Sequence, residues 1–368
     1  MLTLGMAGRA VAGTIYYDTN GATAGTGAGA SDWNSSNTNW TTDSTGSSAT
    51  VAWPASGSGN LDGSDVVFSA GMNAPAAYNI NPAGNKIANS IFVYQGTINL
   101  KVLGSSAVNR TILGGGITVS PVAGSFNWNL GTAGPATLTI GASQTWSISY
   151  TSNISIGVPI IGNAPAGNTY TLSGNNNGVG LITLTNTISD GTSGGKVAVA
   201  TIGLAEMVLT GNDSYSGGTS VSNGYLLLDN GGILQHGNVT ITSGGYFTAG
   251  TTGAGGTLDD NIANDVSDLI SLSGTGMLDL TNMKLNVLLS GTQTQSEYVL
   301  ANEPVGSSNV VGTQFLSATL PAGWSINYTG TTLNPNAIVL VASAPAPEPA
   351  SIGALGIGGL VMLRRRRK

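Results

Sequence analysis

The sequence predicts an all-β chain whose many short strands coil one upon another. Val, Ile, Leu and Thr recur in short alternating runs bounded by Gly, Asn, Asp and Ser, the pattern of strands separated by turns. Glycine supplies 56 of 368 residues and sits between the runs, where a coil must turn and φ > 0 is often required. The runs return at irregular spacing, about every 20–25 residues, within the range that marks solenoids, and no long 3.6-residue apolar periodicity occurs before the C-terminal tail.

Composition narrows the function classes. Between positions 13 and 348 only Lys86, Lys101, Arg110, Lys196 and Lys284 stand against all seventeen acids, a balance of 5 − 17 = −12. Scattered cations on an acidic body do not make a phosphate-backbone partner, so nucleic acid is not expected. There is no cysteine, which removes disulfides, thiolate catalysis and Cys-based metal sites. His236 is the single histidine and reads as structural or exposed; His-pair metal sites and a histidine proton relay lack material. The glycine runs at 114–116 and 244–245 match neither GxGxxG nor GxxxxGK. No cofactor, metal or catalytic residue is expected.

In chain order, residues 1–12 (MLTLGMAGRAVA) read as the end of a secretory signal whose start is truncated, with Ala10-Val11-Ala12 as a small-x-small cleavage site. Residues 13–87 hold Trp33, Trp40 and Trp53. Their aromatics either cap the first rung of the coil, the favoured reading because terminal repeats are atypical, or stack on sugar. From Tyr17-Asp18-Thr19-Asn20-Gly21 to Asp65–Gly71 this region resembles the N-terminal part of secreted autotransporter-associated β-strand repeat proteins. Residues 88–265 are expected to form the solenoid. Ile91 and Val93, then Ile98, Leu100 and Val102, alternate inward, followed by runs at 112–119, 136–140, 146–156, 169–172, 181–188 and 196–202.

The sharpest motif spans 209–228, LTGNDSYSGGTSVSNGYLLL. It closely resembles the autotransporter-associated β-strand repeat, L-x-G-x-N-x-Y-x-G-G-T-x-V-x-x-G-x-L, carried here on Leu209, Gly211, Asn212, Tyr215, Gly217, Gly218, Thr219, Val221, Gly224 and Leu226. The resemblance implies a right-handed parallel β-helix. In that fold Leu209, Val221 and Leu226 or Leu228 would face the core, Gly217-Gly218 would permit a tight turn, and Asn212 would join an Asn ladder or satisfy turn amides. Residues 266–341 are expected to supply closing strands, and 342–349 a Pro/Ala linker that presents Pro347-Glu348-Pro349.

After that triplet come fourteen uncharged residues, 350–363, then Arg364-Arg365-Arg366-Arg367-Lys368. As a helix the apolar run would be about 21 Å long, short of a bilayer's hydrocarbon core, but terminal Arg and Lys can snorkel and lengthen it. Triplet, short apolar helix and basic end, in this order, resemble the PEP-CTERM sorting signal. The resemblance implies recognition of Pro347, Glu348 and Pro349 by a membrane exosortase. Residues 350–363 would be the transmembrane anchor, lodged transiently in the inner membrane, and Arg364–Lys368 the cytoplasmic stop. The positive-inside tendency agrees, placing the body outside.

The expected function is therefore a secreted, non-enzymatic structural or adhesive protein of the cell surface or matrix, with extracellular polysaccharide as a candidate partner. The alternative on the same scaffold is a carbohydrate-active enzyme, a polysaccharide lyase or glycosidase. Its carboxylates would come from the dense cluster Asp259, Asp260, Asp265 and Asp268, which otherwise reads as solvated turn residues or a calcium site. Self-export through a C-terminal translocation barrel is not expected, because strands of about ten residues are missing.

Overall fold

The computed structural model describes residues 13–343 apart from 28–30, 35, 54–62, 72, 75–76, 102–107, 130–134, 236, 243, 251–255 and 303–308. The expectations for the signal remnant, Val102, His236, the Pro-Glu-Pro triplet, the anchor 350–363 and the basic end fall outside these residues. Among the described residues every regular element is a strand. No described helix is long and apolar enough to cross a membrane.

Local alternation builds each strand. In Ala136–Ile140 the residues Ala136, Leu138 and Ile140 are buried while Thr137 and Thr139 face outward. Gln144–Ile148 repeats the pattern with Gln144, Trp146 and Ile148 inward. The inward glutamine is satisfied: its Nε2 donates to Ile112 O at 3.2 Å and its Oε1 accepts the Trp146 indole N–H at 3.0 Å.

Three strands make one turn. Ala136–Ile140, Gln144–Ile148 and Asn153–Ile156 are followed by Ile160–Gly162, Thr169–Asn176 and Leu181–Leu184, each pairing in parallel with its counterpart one turn earlier. The pairs Leu138↔Ile160, Gln144↔Leu172 and Ile154↔Ile182 fix the register. The coil therefore has three faces. The third face is an eleven-stranded ladder from Ser31–Trp33 to Val310–Val311. At about 4.8 Å per rung the stack is about 50 Å long. The first two faces begin as one: Val108–Val119 pairs with Ala136–Ile140 through its first half and with Gln144–Ile148 through its second.

A column of apolar side chains runs down the interior. Phe126, Ile154, Ile182, Met207, Leu226, Phe247 and Leu278 are consecutive register partners on the third face, and none is exposed. Turn length is irregular, as expected, but ranges more widely than 20–25 residues. One turn takes 154 − 126 = 28 residues at Phe126, 226 − 207 = 19 at Met207 and 278 − 247 = 31 at Phe247. Parallel pairing constrains the strands and leaves corner loops free to vary.

The stack also extends past the expected solenoid. Ile270–Leu272, Met277–Asp279, Met283–Ser290 and Ser317–Thr319 all pair in parallel with the preceding rung. These four strands continue the parallel stack into the stretch where closing strands were expected. Ala337–Ala342 turns antiparallel to Glu297–Asn302, and Trp324–Asn327 is antiparallel to it in turn. At the other end Thr38–Thr41 pairs antiparallel with Thr14–Tyr17, and Val51–Ala52 antiparallel with Thr38–Thr41.

Candidate functional surfaces

The repeat motif 209–228 occupies the shortest turn, and most of its residues have a geometric reason. Leu209, Val221, Leu226 and Leu228 are fully buried. Tyr215 is equally buried, and its hydroxyl hydrogen-bonds the Thr219 hydroxyl at 2.7 Å, so the two residues satisfy each other inside the core. Burial raises the Tyr215 phenol above its usual range. At Gly217 a Cβ would lie 2.3 Å from Val197 O, and the Gly217 N–H donates to that oxygen at 2.7 Å. Gly218 follows with φ of 88°. The close approach and the positive φ make the Gly-Gly pair the corner between the first and second faces. Gly211 and Gly224 likewise pass against the Asn186 and Ala205 carbonyls of the previous turn.

One motif position needs correction. Asn212 is exposed and takes the Gln235 side-chain amide on its Oδ1, so it neither joins a ladder of asparagines nor serves turn amides. Counted from Leu209, the asparagine of the repeat pattern falls on Asp213. That side chain is fully buried; its Oδ1 accepts the Ile188 N–H of the previous turn at 2.8 Å, and its Oδ2 has no partner. Burial pushes the carboxyl up to about 7, with the Ile188 hydrogen bond opposing. The asparagine ladder lies elsewhere, on the outer third face: Asn127 Nδ2 donates to Asn99 Oδ1 at 3.0 Å, and Asn99 Nδ2 reaches Asn79 Oδ1 at 3.5 Å.

The N-terminal tryptophans are core. Trp33, Trp40 and Trp53 are fully buried and pack at ring-centroid distances of 5.0–5.4 Å. The buried Arg110 guanidinium lies 4.9 Å from the Trp33 ring. Burial lowers this guanidinium to about 9. None of the three rings is presented to sugar.

Other aromatics do face outward. Tyr16, Val67, Phe92 and Thr118 are register partners on the second face, and Tyr16, Val67, Phe92 and Tyr94 line a groove of about 380 Å³ with Ser44 and Gly71. No charged side chain lines it. Alternation with buried Ile15, Ile91 and Val93 marks Tyr16, Phe92 and Tyr94 as outward, but only the register brings residues so distant in sequence into one groove.

The four clustered aspartates separate. Asp265, at φ of 66° in a turn, accepts the Thr294 and Gln295 N–H groups and the Thr294 and Tyr298 hydroxyls. The hydrogen bonds from Thr294 and Tyr298 hold it down at about 2. Asp259 points outward and accepts the Asn286 amide at 3.1 Å. Asp260 is buried on the inward side of its strand, so it is not the solvated turn residue expected. Among the described residues no group of three or more His, Cys, Asp or Glu side chains is placed to hold a metal ion.

Comparison of the chain with family models, curated proteins and solved structures found no match.

Proposed function

We propose that this is an exported structural or adhesive protein that works as a stiff, weakly charged rod at the cell surface or in an extracellular polysaccharide matrix. The observation that carries this reading is the eleven-stranded parallel ladder with its unbroken apolar column, which makes a long rigid body whose outer faces hold few charges. A right-handed winding belongs to the same reading, since right-twisted strands favour right-handed parallel connections. The uncharged groove of Tyr16, Phe92 and Tyr94 is where we place contact with a neutral polysaccharide, whose pyranose faces suit aromatic rings and which meets no repulsion from an acidic body. Release from the membrane rests on the tail sequence, with Pro347-Glu348-Pro349 read by an exosortase, 350–363 as transient anchor and 364–368 as cytoplasmic stop.

Expression of the full chain in an exosortase-bearing host tests this. Wild type should appear at the surface or in the medium shortened at its C-terminus, while Glu348→Ala should leave full-length protein in the membrane fraction. Equal release of both would refute the sorting step. The purified protein should be retained on an insoluble neutral glucan without cleaving it; turnover across a polysaccharide panel would favour the enzymatic alternative.

A further inference from the structure

The turn after Phe247 is long because the chain inserts a hairpin. Val266–Ser267 folds back antiparallel on the end of Gly256–Ala263, through the pairs Ile262↔Ser267 and Ala263↔Val266. Asn264 and Asp265 take positive φ at the tip. At the hairpin's base stand two carboxylates. Strand alternation puts Asp260 on the inward side with Leu258 and Ile262; it is 3% exposed, and its Oδ1 has no hydrogen-bond partner. Asp268, half-buried just after the returning strand, lines the same cavity of about 10 Å³, together with Gly237, Leu258, Asp259 and Ile270. The Asp268 Oδ2 accepts the Asn261 N–H at 3.3 Å and its side-chain amide at 3.4 Å.

An ionised carboxylate among aliphatic side chains is strongly disfavoured, and a second carboxylate beside it makes matters worse. Burial is the first cause, and the charge of Asp268 the second, that raises the Asp260 carboxyl well above its ordinary range. A positive species is the remedy. Asp265 is committed to the Thr294–Tyr298 segment, and Asp259, which also borders the cavity, points outward to Asn286; Asp260 alone among the cavity's carboxylates is buried with an unpartnered oxygen. A cavity of this size admits a single small occupant.

We propose that Asp260 and Asp268 hold a calcium ion at the base of the hairpin. Two carboxylates balance one divalent cation, the ligands are hard oxygens, and calcium accepts the irregular shell that backbone carbonyls and water would complete. Magnesium's strict octahedron suits such a site poorly. The ion would pin the hairpin to the stack, neutralising the buried charge that the insertion brings. This inference is independent of the sorting and adhesion reading.

The full chain, held in mild detergent and stripped with EGTA, is titrated with calcium chloride and followed by calorimetric binding and thermal unfolding at pH 7. Calcium should bind with about 1:1 stoichiometry and raise Tm by a few degrees. Asp260→Asn and Asp268→Asn should each abolish binding and the Tm shift, while Asp265→Asn should retain both. Should Asp260→Asn not fold, Asp268→Asn decides alone, since its side chain is only half-buried. Absence of binding up to about 10 mM calcium, above the range of weak extracellular modules, would overturn the proposal. A wild type that melts independently of calcium and loses more stability from pH 5 to 8 than Asp268→Asn does, with Asp213 supplying the slope the variant keeps, would overturn it too, in favour of a shared proton.

Discussion

The two ends of the stack solve one problem differently. A solenoid's terminal rung leaves apolar side chains uncovered and strand edges unpaired. At the N-terminal end Trp33, Trp40 and Trp53 close over Tyr17 and Phe68 without exposed surface, each ring within 6.0 Å of another. At the C-terminal end two antiparallel strands form the cover. Trp324 stacks on Tyr298 at 5.4 Å but stays half-buried, and a cavity of about 420 Å³ remains among Val310, Gly312, Tyr328 and Ile338. One end is sealed by packed rings; the other is closed by reversing the chain direction, which blocks further parallel addition with less buried surface. Where the N-terminal cover resembles a domain core, the C-terminal cover resembles a flap.

The contrast can be broken at its strong end. Trp40→Ala removes a fully buried ring from the centre of the aromatic cluster and should cost about 3–5 kcal/mol. Equilibrium denaturation would read it; a loss below about 1 kcal/mol would mean that the seal contributes little.

A second test asks whether the middle of the stack has a liability that neither end carries. The Asp213 carboxyl sits near 3.8 in the unfolded chain and about 7 in the folded one, so the folded state binds the extra proton between these values. Its contribution to stability is therefore fully present below about pH 4 and is lost as pH rises towards 7, by roughly 2–4 kcal/mol at most. Asp213→Asn should flatten this slope and raise Tm at pH 8, measured by melts across pH 4–8. An unchanged slope in the variant would remove Asp213 as its source.

At the weak end, Trp324→Ala should cost only about 1–2 kcal/mol, because the ring is half-buried against a single aromatic neighbour. A cost equal to that of Trp40→Ala would erase the distinction between seal and flap.

How much of this was legible depends on the range of the interaction. The inward alternation of Leu138, Ile140, Trp146 and Ile148, the capping role of the three tryptophans and the corner at Gly217-Gly218 follow from period-2 geometry and backbone sterics, which act within a few residues. The burial of Asp260 also had a local signal, since it stands between Leu258 and Ile262 on the same side of a strand, but the density of acids around it suggested a solvated turn. Likewise Asn212 drew attention as the asparagine of the motif, while the inward position was the aspartate beside it. Alternation marked Tyr16 and Phe92 as outward, but nothing local foretold that they and Tyr94 share a groove, because its walls lie two turns of chain apart.

By itself the sequence determined that this protein is built of strands, which residues of most strands point inward, and where the chain must bend. Those choices are made by neighbouring side chains and by φ. Only the tertiary structure decided which strand stacks on which, that one turn takes 19 residues and another 31, that the rungs run on to Thr319 before the flap, and that Asp213 and Asp260 end in the core. Pairing across so many residues depends on loop length and on packing against a column shared by every rung, and neither is written in any one segment.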